Sequence, residues 1–394
     1  MFRKIRFLTA GESHGKGLTC IIEGIPSGLD LKAEDINKDL SRRQKGHGRG
    51  GRMKIEHDKA EIMSGVRWGK TIGSPIALLI YNKDWVNWGD AMSVDADKFG
   101  SIPIVTRPRP GHADLTGILK YNRQDIRDIL ERASARETAM RVAGGAVAKA
   151  FLRHFNISVY SMVLSIGDVS IDDRFIYDPD TDFDELFKMA ESSPVRCPDV
   201  KASERMVNLI DNTSKNGDTL GGVFAVVVTG VPYGLGSHIQ WDLRLDARLA
   251  YSVMGIQAIK SVEIGKGVAM SMSPGSEVMD EIHYIKPKGY FRKTNFLGGI
   301  EGGISNGMPL VVRAGMKPIP TLKKPLKSID IQTKEMVEAS YERSDVCAVP
   351  AAAVIGEAMV SLTLVDAFLE KFGGDSMEET RRNYDGFLKQ ISPS

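Results

Sequence analysis

The chain has 394 residues, with 52 Lys+Arg against 50 Asp+Glu for a net charge of +2, and 42% of it is hydrophobic. That is a globular composition and excludes disordered and fibrous proteins. Three widely spaced cysteines (Cys20, Cys197 and Cys347) with no CxxC pair exclude a disulfide framework and a cysteine-based zinc site, and point to a reducing, cytoplasmic setting.

The N-terminal stretch MFRKIRFLTAGES has no long apolar run ahead of a cleavage site, so no signal peptide is expected. Residues 17–25 (GLTCIIEGI) read as a strand, with Pro26-Ser27-Gly28 as its turn. A helix opens at Asp30 or Leu31 and runs to about Arg43, acidic at its start and basic at its end, as the helix dipole prefers. Residues 44–52 (QKGHGRGGR) form a glycine-rich loop, and 58–67 and 73–81 read as strands, the second almost wholly apolar. The next helix begins near Arg123, with Ile126, Ile129, Leu130, Ala133, Met140, Val147 and Ala150 close to a 3.6-residue period. Gly144 and Gly145 inside it each cost about 1 kcal/mol against alanine, which implies close approach of another element.

Further along, 157–168 and 220–231 read as strands, 242–260 as an amphipathic helix and 261–273 as strand-like. A helix is expected to start in 331–341, and 350–371 forms a long apolar one, buried in a core or in an interface. The last twenty residues are polar and expected to be loosely held. The uncharged stretch 219–241 is long enough to cross a bilayer. Its five glycines and Pro232 make it a buried strand and turn instead, so no membrane association is expected. The reading is mixed α and β, with a hint of internal duplication. Length suggests two or three domains at roughly 150 residues each, unless the motifs spread from residue 11 to residue 345 converge into one unit.

The chemistry-bearing residues fall in six short segments. Gly11-Glu12-Ser13-His14-Gly15 puts two protic side chains on a backbone free to approach a ligand, although a lone GxSHG is more often a solvated turn. From Leu40 to Ile55 there are six basic residues and no acid. Arginine forks and glycine amides of that kind suit a phosphate or carboxylate. An RGG-like RNA-binding loop is the alternative, and the lack of aromatic residues between Leu40 and Trp68 weighs against it. Arg107-Pro108-Arg109-Pro110-Gly111-His112-Ala113-Asp114 holds its arginines and His112 in extended, proline-stiffened geometry. Arg132 and Arg136 share one helical face, with adjacent glutamates that could reduce them to surface ion pairs. A second stiffened segment, Lys317-Pro318-Ile319-Pro320-Thr321, and the stretch Glu342 to Pro350 complete the set. Many cations, two glycine-flanked histidines and one candidate base, Asp345, suit a small polyanion that undergoes proton transfer.

In these six segments the chain closely resembles chorismate synthase, through GESHG at 11–15, RRQKGHGRGGRM at 42–53, RPRPGHAD at 107–114, ERASARETA at 131–139, KPIPT at 317–321 and ERSDVCAVPA at 342–351. The resemblance implies an α+β fold, a β-α-β sandwich with helices between two antiparallel sheets and an internal duplication. It implies one domain over 1–374 and a homotetramer; the polar tail at 375–394 lies outside the resemblance and is expected to be flexible, and neither nucleic acid nor membrane is expected as partner. The implied reaction is a 1,4-anti-elimination of phosphate from 5-enolpyruvylshikimate 3-phosphate, needing reduced FMN without net redox change. NADPH is a possible reductant, and an external flavin reductase a possible partner. Carried over residue by residue, Arg43, Arg49, Arg52, Arg109, Arg136 and Arg343 look like substrate clamps. His14 looks like the acid for the departing phosphate, His112 like the group that neutralises reduced flavin, and Asp345 with Ser13 like a proton relay. Arg132, Ala133, Ser134, Gln257, Ala258, Gly302, Lys317, Pro318, Ile319, Pro320, Thr321 and Arg343 match flavin-contacting positions. His47 departs from the pattern, and no metal ligand set is expected.

Overall fold

Alternating burial sets the first sheet. The computed structural model describes residues 2–50, 57–287, 289–342 and 344–392. β1 (Arg6–Ala10) pairs antiparallel with β2 (Gly17–Glu23), whose Leu18, Cys20 and Ile22 are buried while Ile21 and Glu23 face outward. α1 (Ala33–Gln44) follows, then β3 (Glu61–Ile62) and β4 (Ile76–Tyr81), giving an antiparallel sheet ordered β1-β2-β4-β3. The expected strand at 58–67 is mostly irregular, with only its 61–62 pair in this sheet.

The single helix expected from Arg123 is interrupted. α2 (Asp114–Tyr121) and α3 (Arg127–Ala133) precede a break at Ser134, where the side chain caps a 3-10 turn by accepting from the Arg136 amide. α4 (Thr138–His154) then runs through the core. The second half repeats the first. β5 (Ser158–Ile166) carries α5 (Phe183–Ser192) and α6 (Val200–Lys215) as an insertion before β6 (Gly222–Thr229). α7 (Leu245–Met254), β7 (Ile259–Ile264), β8 (Leu310–Met316) and α8 (Val349–Phe372) follow. The second sheet is ordered β7-β8-β6-β5, with the two-residue strand Val169–Ser170 added beyond β5, antiparallel throughout. Both halves therefore read hairpin, helix, edge strand, inner strand, long helix, with spatial order first-second-fourth-third.

α4 lines the first sheet, α7 and α8 the second, α1 packs on α4 and α8, and α4 packs along α8, so the helices lie between the two sheets. α8 is long and apolar enough to cross a membrane, yet its apolar window is wholly buried, which makes it a core helix. The glycines of α4 have the expected reason. A Cβ built on Gly145 would lie 2.2 Å from that of Ala358, and one on Gly144 2.5 Å from the Phe7 ring. Gly145→Ala gains about 1 kcal/mol of helix propensity and forces the α4–α8 seam apart, at about 1–3 kcal/mol for overpacking. We expect a lower melting midpoint; a raised one would show that the seam yields.

Two local readings are corrected. Residues expected to start a helix at 331–341 instead form a small hairpin of Lys327–Ile329 and Met336–Glu338. The C-terminal tail, expected to be flexible, forms α9 (Met377–Ile391), and its Tyr384 packs on the rings of Phe155, Phe368 and Phe372.

Candidate active site

The loop between β1 and β2 carries the first histidine. His14 Nδ1 lies 2.8 Å from Glu131 Oε1, and its amide donates to Glu131 Oε2 at 2.7 Å. The imidazole stacks on Trp88 with centroids 4.1 Å apart. The Arg127 guanidinium lies over the same indole and 3.2 Å from Glu131. Burial works against the Glu131 charge, but the His14 ring and amide and Arg127 hold its carboxyl below the usual range. Ser13, also buried, meets Ser134 hydroxyl to hydroxyl at 3.1 Å.

Asn82 ties this loop to the arginines. Its amide donates to the Glu12 and Gly15 carbonyls, and its oxygen accepts from Arg136 Nε and Nη2 at 3.0 and 2.8 Å. Arg136 also donates to Asp58 at 2.5 Å, and Arg43 reaches the same carboxylate at 3.5 Å while donating to Thr138 Oγ1 and the Ala135 carbonyl. Arg49 lies 3.2 Å from Asp345, whose other oxygen accepts from the Gly50 amide at 2.6 Å. A Cβ on Gly50 would sit 3.0 Å from the Ser344 carbonyl, tighter than an ordinary contact. Among the described residues, the guanidiniums of Arg43, Arg49 and Arg136 thus face the carboxylates of Asp58 and Asp345. Burial pulls Arg43 down to about 10, with Asp58 opposing and Arg136 and Arg49 adding to the effect. It remains charged at neutral pH, in a place that a further anion would relieve.

The second histidine has its own carboxylate. His112 Nδ1 lies 2.5 Å from Asp114 Oδ1, and Arg109 donates to both oxygens of Asp114 and to Thr321 Oγ1. Burial opposes the Asp114 charge, but His112 and Arg109 win and hold its carboxyl far below the usual range. Lys317 donates from Nζ to the Gly111 carbonyl at 2.5 Å and from its amide to the Ala258 carbonyl at 3.0 Å. Ala258 has a left-handed φ of 68°, and Gln257 beside it donates to Glu137 at 3.0 Å. Glu137 accepts from Thr9, and Arg132 donates to the Thr9 and Gly11 carbonyls, which returns to the first loop. On the other side the Leu220 amide donates to the Val346 carbonyl and Thr219 Oγ1 to that of Ile319. The contacts close into one ring joining all six segments within a single chain.

The ring brings together Ser13, His14, Arg43, Arg49, Arg109, His112, Arg132, Ala133, Ser134, Arg136, Gln257, Ala258, Asp345 and the 317–321 segment. Gly302 stands apart in the turn of the hairpin 300–305, facing His238. Arg52 and Arg343 lie outside the described residues. Ser13 and Asp345 have different described partners, Ser134 for the first and Gly50 and Arg49 for the second. His47 pairs with Asp211 at 2.6 Å on the surface. Sequence reasoning missed Asp58, Asn82, Trp88, Glu131 and Asp114 as site members. Asp114 and Glu131 stood inside the motifs, and their place in the sequence beside a histidine or an arginine was the available signal. A cavity of about 650 Å³ lined by Phe2, Phe7, Arg141, Tyr251, Met254 and Met359 takes in none of the motif residues. Volume points there, whereas the titratable groups gather on the ring.

Two sheets around paired helices, with a cation-rich ring bearing two carboxylate-held imidazoles, define the class: a two-sheet sandwich protein with one cation-rich site. The chain belongs to the chorismate synthase family. The family model described as chorismate synthase matches residues 5–369. Chorismate synthase of Geobacter sulfurreducens is 56% identical over 394 residues, covering 98% of this chain and 99% of that one. The Aquifex aeolicus chorismate synthase is 55% identical over 392 residues, covering 99% and 98%. A crystal structure of chorismate synthase superposes with a TM-score of 0.81 at 46% identity, covering 100% of this chain and 99% of that one.

Proposed function

We propose that this protein is a lyase that eliminates phosphate from 5-enolpyruvylshikimate 3-phosphate, in a 1,4-anti sense, to give chorismate. The observation that carries the reading is the gathering of the buried guanidiniums of Arg43 and Arg136 and the half-buried one of Arg49 beside an imidazole backed by Glu131. A phosphate and two carboxylates suit such a cluster of arginine forks. The RNA-binding alternative loses support, because Arg42, Arg43 and Arg49 are turned inward onto carboxylates and not presented to solvent.

Reduced FMN is the proposed cofactor; when bound it supplies electron density to the allylic system as phosphate leaves, with no net redox change. The residues present fit such a group. Gln257 Oε1 is buried with no hydrogen-bond partner among the described residues, an acceptor suited to a ring N–H of the cofactor. Arg132, Ala133, Ser134, Gln257, Ala258, Lys317 to Thr321 and Arg343 would hold it. His14 delivers a proton from Nε2 to the departing phosphate oxygen. His112, its Nδ1 held by Asp114, keeps a proton on the cofactor side. Asp345, fixed by Arg49 and the Gly50 amide, receives the proton lost by the substrate, with Ser13 as its partner. NADPH serves only to reduce the flavin, through an external reductase. We place the enzyme in the cytoplasm as a homotetramer. Its buried free cysteines and the exposed Leu8, Ile21, Met63 and Tyr81 on the outer face of the first sheet support this.

An anaerobic assay with chemically reduced FMN tests the reading. Phosphate and chorismate are expected in equal amounts, with no turnover on oxidised FMN and NADPH in air unless a reductase is added. Absence of phosphate release with reduced FMN would sink it.

A further inference from the structure

Both oxygens of Glu131 meet His14, at 2.7 Å on its amide and 2.8 Å on Nδ1, from a side chain only 2% exposed, and Arg127 adds a longer contact of 3.2 Å to one of them. A carboxylate so placed accepts and cannot donate, which puts a proton on Nδ1 and leaves Nε2 as the nitrogen not committed to Glu131. Trp88 fixes the ring plane from one face. We propose that Glu131 is a positioning residue: it sets the tautomer and orientation of His14 and stays ionised to support the imidazolium that gives up its Nε2 proton. The balance is simple. The imidazolium loses one proton to the phosphate oxygen as the carbon–oxygen bond breaks, and the neutral ring keeps the Nδ1 proton against Glu131. The charged groups around this imidazole, among the described residues, are Glu131 and Arg127 on α3 and Glu12 and Lys16 on its own loop, with Glu342 behind Arg127. Arg127 is drawn onto Glu131 and the Trp88 face, so Glu131 is the carboxylate in contact with Nδ1.

This assignment rests on the acid role of His14, and the experiment separates the two. Histidine labelled with 15N, in the whole protein and with the His14 signal identified by its loss in H14A, reports the tautomer without substrate. Wild type should show the Nδ1–H form and titrate to the imidazolium at higher pH than Glu131→Gln. Turnover of Glu131→Gln should fall about 100-fold or more in kcat with KM moving much less, as expected when a carboxylate orienting a catalytic imidazole is lost. The alkaline limb of its pH profile should move to lower pH, and Glu131→Asp should restore part of the rate. Wild-type kcat and profile in Glu131→Gln, or an unchanged His14 tautomer and titration, overturns the proposal. If H14A itself turns over normally, the acid role fails, and the tautomer and titration still decide what Glu131 does.

Discussion

Glu357→Ala is expected to destabilise the fold by about 3–5 kcal/mol, the usual cost of removing one partner from a buried ion-pair set. Glu357 is fully buried on α8. Arg42 of α1 donates to both its oxygens at 2.7 and 2.8 Å, Ser161 of β5 at 2.5 Å, and Lys149 of α4 and Arg196 also reach it. Asp39 and Glu191 complete the set, three cations against three carboxylates. Alanine leaves Arg42, Lys149 and Arg196 with two carboxylates in a dry core. Burial opposes the Glu357 charge, but Arg42, Lys149 and Arg196 hold its carboxyl well below the usual range. The sign follows: its contribution is full above the unfolded value, about 4.3, and is lost as pH falls toward the folded one. Urea unfolding at neutral pH should show the loss, and at low pH the gap to wild type should narrow. A gap that widens on acidification would refute the charge account. Because Arg42 adjoins Arg43, the same change should raise KM for the anionic substrate.

His14→Ala is expected to lower turnover by about 10²–10⁴, the usual contribution of a positioned acid. The loss should fall on kcat, since the arginines proposed to hold the substrate are untouched. FMN and substrate should still bind, as followed by the flavin spectrum on titration. Turnover at the wild-type rate would remove His14 from the acid role, whereas lost substrate binding would make it a binding group.

Several elements were legible because the sequence carries their local cause. The β2 and β4 strands follow from apolar runs, α1 from its acidic start and basic end, and α8 from its length of apolar residues. Others were not. α9 reads as polar because only Met377, Thr380 and Tyr384 are buried, against rings contributed by distant helices. The helix expected from Arg123 breaks at Ser134, where the hydroxyl caps the Arg136 amide and turns that side chain toward Asp58. The hairpin 327–338 replaces an expected helix because Ser328 and Asp330 are taken by the 106–108 segment, a tertiary pull that no local propensity records.

The sequence by itself determined which residue types could meet an anion and move a proton, since arginine forks, imidazoles and glycine-freed amides are properties of side chains and short spacings. The tertiary structure alone decided which carboxylate each of these would face. Asp58, Glu131 and Glu357 lie 15, 117 and 315 positions from Arg43, His14 and Arg42. Only the packing of helices between two sheets brings such pairs within hydrogen-bond range and strips away the water that would otherwise screen them.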